Sequence, residues 1–101
     1  MVTLKEACSI IQEELPNNRI IRCSEIKDYY FFNTPPRRWN GDKNDIPCGG
    51  SVYYVKKDGS FDCMDIENYM DLLLENGEKE LDIRPYLDTK DRAFLEKLKE
   101  S

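Results

Sequence analysis

The segment SVYYVKKDGSFDCM, residues 51–64, holds two strand-like runs that meet at Asp58-Gly59. Its aromatic and β-branched side chains favour extended backbone. Asp-Gly is the dipeptide that two-residue hairpin loops select, because a type I′ turn needs positive φ at both central positions. A hairpin here, Ser51 to Lys56 followed by Ser60 to Met64, commits this part of the chain to antiparallel pairing.

The neighbouring segments extend the pattern. Thr3 and Glu6 have the spacing of a capping box, and Leu4, Ala7, Cys8, Ile11 and Leu15 recur on one helical face. Pro16-Asn17-Asn18 stops that helix. Arg19 to Ile26 reads as a strand, Lys27-Asp28 as a short turn, and Tyr29 to Asn33 as a second, aromatic strand. Asp65 can cap a further helix whose apolar stripe is Ile66, Tyr69, Met70, Leu73 and Leu74, ended by Asn76-Gly77. Residues 78–87 read either as a sheet edge or as packed loop. A last helix occupies residues 88–101, with Ala93, Phe94, Leu95 and Leu98 as its apolar face. Strands grouped between helices predict an α+β fold: an antiparallel sheet of about four strands, with the N-terminal helix and two C-terminal helices packed mainly on one face.

A chain of 101 residues fits one domain. Its 40% hydrophobic content supports one modest core, against 35% charged residues. The charge is uneven. Residues 1–50 carry seven Lys/Arg and seven Asp/Glu, whereas residues 51–101 carry eight and thirteen, so the net −5 lies in the second half. Such a surface repels phosphate backbones, which makes nucleic acid an improbable partner. A nucleic-acid reading would need Arg37, Arg38 and Trp39 together with Arg19 and Arg22, with Tyr29 and Tyr30 as stacking rings. No stretch approaches the ~20 apolar residues of a membrane helix, and the N-terminus has no apolar signal core. The expectation is a soluble, cytoplasmic protein.

The chemistry-bearing residues are sparse. The chain has no His, so no His general base or Cys-His pair can form. Cys8, Cys23, Cys48 and Cys63 never reach CxxC spacing; the expectation is reduced, buried thiols serving as small hydrophobes, and no metal or other cofactor. Gly49-Gly50 follows Cys48 but lacks the Lys of a phosphate-binding loop and reads as a tight turn. Asp62 with Asp65, and Glu67 with Asp71, are acidic pairs that capping and solvation explain, without the cleft a glycosidase needs. The expectation is that the chain is not an enzyme.

The irregular stretch 33–50 contains Pro35, Pro36 and Pro47 and the only Trp. Loops of that length often carry function. Within it, Arg37, Arg38 and Trp39 are residue types enriched in binding hot spots, and a Pro pair before them lowers their ordering cost. They form the candidate partner-binding site with Asp42 and Asp45. The alternative is that Trp39 folds back onto the sheet while the arginines pair with Asp42 and Asp45.

The helix of residues 3–15, the aromatic strand DYYFFNT and the segment GGSVYYVKKDGSFDCM together resemble the immunity protein 35 family of small bacterial proteins. The resemblance spans residues 3–64. The loop carrying Arg37-Arg38-Trp39 and the helices of residues 65–101 depart from that pattern. The resemblance implies a bacterial or phage protein that binds and neutralises a partner toxin. The function expected is therefore a small protein-binding module. A homo-oligomeric structural or regulatory protein pairing through an edge strand or the last helix is the alternative, and a small carboxylate- or cysteine-dependent enzyme stands third.

Overall fold

The structure is a computed structural model that describes residues 1–42 and 51–100. The expectations placed on Asp45, Pro47, Cys48 and Gly49-Gly50 fall outside those residues.

Helix α1 (Leu4–Glu14) begins at the capping box read from the sequence. The Glu6 N–H donates to Thr3 Oγ1 at 3.2 Å, and the Thr3 N–H donates to Glu6 Oε1 at 3.2 Å. Ala7, Cys8 and Ile11 are its buried residues. Strands β1 (Arg22–Ile26) and β2 (Tyr29–Asn33) follow as a hairpin over Lys27-Asp28, and β3 (Ser51–Lys56) and β4 (Phe61–Asp65) as a second hairpin. Helix α2 (Ile66–Asn76), strand β5 (Lys79–Leu81), a 3-10 turn (Arg84–Tyr86) and helix α3 (Thr89–Glu100) complete the order.

The sheet is antiparallel with strand order β4-β3-β2-β1-β5. It has five strands rather than about four, because residues 79–81 pair with β1 (Cys23 opposite Leu81, Glu25 opposite Lys79). Ionic contacts across this edge reinforce the pairing: the Arg22 guanidinium reaches Glu78 at 2.5 Å and Glu80 at 2.8 Å.

Strand alternation divides the sheet into two faces. Cys23, Tyr30, Phe32 and Val55 point to one face, where they form the core with Ala7, Cys8 and Ile11 of α1 and Leu95 of α3. Ser24, Ile26 and Phe31 point to the other, where the Phe31 ring meets Tyr69 of α2 edge-on at 4.9 Å. Two of the three helices among the described residues thus share a face, and α2 crosses the opposite one on its way from the β4 edge to the β5 edge.

The second hairpin differs in its turn. Gly59 has φ 95°, but Asp58 does not have positive φ. The Gly59 N–H donates to Lys56 O at 2.9 Å and the Lys56 N–H to Ser60 O at 2.8 Å. This is a three-residue loop, a type I turn followed by a left-handed glycine, rather than type I′. The Asp58 carboxylate stabilises it by accepting the Ser60 N–H at 2.9 Å.

Candidate functional site

Residues 34–42 are pinned to the segment between α1 and β1. The Arg19 N–H donates to Pro35 O at 2.9 Å, the Arg37 N–H to Asn17 O at 2.9 Å, and Asn18 Nδ2 to Thr34 O at 2.7 Å. This continues the β1–β2 pairing irregularly beyond the sheet and aims Arg37 and Trp39 at α3.

Trp39 is buried against α3, its ring 6.0 Å from Phe94, and its indole N–H donates to the Asp42 carbonyl at 3.2 Å. The Arg37 guanidinium pairs with Asp91, from Nη1 to Oδ1 at 2.9 Å and from Nη2 to Oδ2 at 3.2 Å. Arg19 joins the same carboxylate through Nε at 3.2 Å and lies 3.9 Å from the Phe94 ring centroid. The acid that Arg37 selects thus lies on α3. Asp42 is exposed, and its N–H is held by Asn40 Oδ1 at 2.9 Å. Arg38 is exposed with no ion pair among the described residues. Of the five sequence candidates, the structure joins Arg37, Trp39 and Asp42 to contacts within the chain, leaves Arg38 on the surface, and does not describe Asp45.

Several of the remaining ionisable residues also have local partners. Asp65 caps α2, accepting the Asn68 N–H at 3.2 Å. Asp62 Oδ1 accepts the Cys63 N–H at 2.8 Å. Arg22 holds Glu78 below the usual carboxylate range, chiefly through their hydrogen bond. The Tyr30 hydroxyl donates to Val2 O at 3.3 Å. Cys8 and Cys23 are buried as expected, and loss of water pushes the Cys8 thiol up to about 12 and raises Cys23 as well. Cys63 differs from its expected burial: it is exposed, because β4 is the outermost strand. Among the described residues no group of Cys, Asp or Glu is placed to hold a metal ion, and no helix is long and apolar enough to cross a membrane.

What sequence reasoning missed lies on α2. The helix has no fully buried residue. Tyr69, Leu72 and Leu73 are half-buried against the sheet, but Ile66, Met70 and Leu74, spaced four apart, are exposed by 45%, 42% and 79%. Leu72 and Leu74 lie ~200° apart around a helix, so the apolar arc is wider than one sheet contact covers. Beside Ile66 a notch of about 240 Å³ opens between α2 and the sheet, lined by the apolar or aromatic Val52, Phe31 and Tyr69 and by the polar Ser24, Asn33 and Arg22. The signal was present in the sequence: residues 58–78 contain seven Asp/Glu and no Lys/Arg. Of these, Asp62, Asp65, Glu67, Asp71 and Glu75 are exposed on β4 and α2. The outcome is an apolar ridge bordered by carboxylates.

Comparison with known proteins gives no match: no family model, no curated protein and no solved structure matches this chain.

Proposed function

We propose that this chain is a protein-binding module that recognises a basic partner protein through the α2–β4 face. The observation that carries this reading is the exposed ridge Ile66, Met70 and Leu74 on an acid-bordered helix. Large apolar side chains gathered on one surface lose contact with water when a partner covers them. Carboxylates around such a patch speed the encounter with a positively charged surface and disfavour acidic partners. The notch beside Ile66 offers a recess for one apolar side chain of the partner. Neutralisation of a partner toxin inside the cell is the particular form of this function that the immunity protein 35 resemblance implies, and the acidic border adds that such a toxin would be basic.

The test is capture of partners from the native host with Met70→Glu/Leu74→Glu, Arg38→Ala and wild-type protein in parallel, each captured protein being identified and measured. A basic protein retained by wild type and Arg38→Ala but lost by Met70→Glu/Leu74→Glu supports the reading. Retention by the α2 variant with loss on Arg38→Ala returns the site to the 34–42 segment.

A further inference from the structure

Resting on that reading, we infer that the partner engages by adding an extended segment to the outer edge of β4, and that this segment alternates Lys or Arg with apolar residues.

The ladder geometry defines what the edge offers. Tyr54 stands opposite Asp62 and Val52 opposite Met64. The Lys56 N–H to Ser60 O bond makes 56 and 60 a hydrogen-bonded pair. In an antiparallel ladder such pairs alternate. Residues 62 and 64 therefore exchange bonds with β3, and the N–H and C=O groups of Phe61, Cys63 and Asp65 point outward. The Cys63 N–H agrees with this assignment, since its acceptor is the Asp62 side chain and not β3. A single exposed carboxylate occupies the donor at the centre of the edge, and an incoming backbone carbonyl can replace it. Among the described residues no strand pairs with this side of β4.

The opposite edge is unsuited to addition. Strand β5 has three residues, and Arg22 with Glu78 and Glu80 braces that corner. Charge selects the occupant of β4. Asp62 and Asp65 stand on the strand, and Glu67 and Asp71 follow on α2, so cationic side chains are favoured next to them. Phe61 and Cys63, on the sheet face opposite Asp62, give the same edge an apolar stretch that faces the alternate side chains. A second copy of this chain is disfavoured as the occupant, because it would bring an identical row of carboxylates against this one. Main-chain bonding would supply affinity and the alternating side chains selectivity, as in other strand additions.

The probe is a short synthetic peptide alternating Lys and Val, with two controls: the same peptide with Glu for Lys, and one with N-methylated valines that cannot donate to a ladder. Amide hydrogen exchange on the full chain is the readout. The Lys–Val peptide should slow exchange at Cys63 and Asp65 by about tenfold or more, and neither control should do so. Cys63→Pro removes an outward N–H that β3 does not use and should abolish binding, while Cys63→Ala, which keeps that N–H, should bind as wild type. Equal binding of the N-methylated peptide, wild-type binding by Cys63→Pro, or no protection by any peptide would overturn strand addition. Protection of Cys63 in a peptide-free dimer would assign the edge to a second copy and equally overturn it. A natural partner lost on Met70→Glu/Leu74→Glu while the Cys63 amide stays unprotected contradicts strand addition alone and leaves the protein-binding reading standing.

Discussion

Arg37 grips Asp91 with both terminal nitrogens, one on each carboxylate oxygen, and so ties the loop after β2 to the first turn of α3. Asp91 is only 2% exposed and also accepts Arg19. Its backbone N–H donates to Asp88 Oδ1 at 2.8 Å, so that Asp88 caps the helix. Breaking this contact leaves two arginines without their anion. Asp91→Ala should cost roughly 2–4 kcal/mol in urea unfolding, less than the extreme for a buried pair because Arg37 is partly solvated. Arg38→Ala should stay within about 0.5 kcal/mol. Equal, small losses in both variants would show that the clasp contributes nothing.

The two apolar surfaces of α2 should respond differently to truncation. Phe31 lies buried beneath Tyr69, and Phe31→Ala should lose about 3–5 kcal/mol. Leu74 is 79% exposed, and Leu74→Ala should change stability by no more than about 0.5 kcal/mol. A large loss for Leu74→Ala in chemical denaturation would mean that the ridge supports the fold.

Thiol chemistry should separate the strands. Cys63 is exposed, whereas Cys8 and Cys23 are buried and held protonated by loss of water. With iodoacetamide at neutral pH and peptide mapping, Cys63 should be labelled in the native protein, and Cys8 and Cys23 only after unfolding. Labelling of Cys23 as fast as Cys63 would contradict the packing of β1 against α1.

Acid should loosen the β5 side of the sheet. Hydrogen bonds from Arg84 bring Asp82 down from its ordinary 3.8 to about 2, and Arg22 lowers Glu78. Because these folded values are depressed, the unfolded chain binds protons first as pH falls. Their stabilisation is complete above the ordinary carboxylate values and disappears as pH drops through the folded ones, near 2 for Asp82. Both carboxylates are partly or largely solvated, so the effect is modest and screened by salt. A carboxyl NMR titration should place the Asp82 midpoint near 2, with β5 amides losing protection relative to their intrinsic exchange at each pH below about pH 4. A midpoint at 3.8 would remove the Arg84 contact from the account.

How much of this was readable in the chain depended on the range of the interaction. The capping box of Thr3 and Glu6 and the hairpin at Asp58-Gly59 are local and were legible, although the turn class was not: Lys57 joins the loop, and only Gly59 takes positive φ. Strand β5 is three residues long, too short for alternation to register, and joins the sheet through Arg22 and Cys23, more than 50 residues away in sequence. The partner of Arg37 was hidden for the same reason, since Asp91 lies 54 residues further on. Helical spacing in α2 revealed which residues share a side, but not how little of that side the sheet would cover. Strand assignment placed Cys63 correctly, yet nothing local to it indicates that its strand lies at the edge.

The measurement that bears most directly on the binding face is a hydrogen-exchange footprint of the protein with and without a partner isolated from its native host. The account predicts slowed exchange concentrated in residues 61–75, covering β4 and α2, with residues 34–42 unchanged. Slowed exchange across residues 34–42 with α2 unaffected would contradict it.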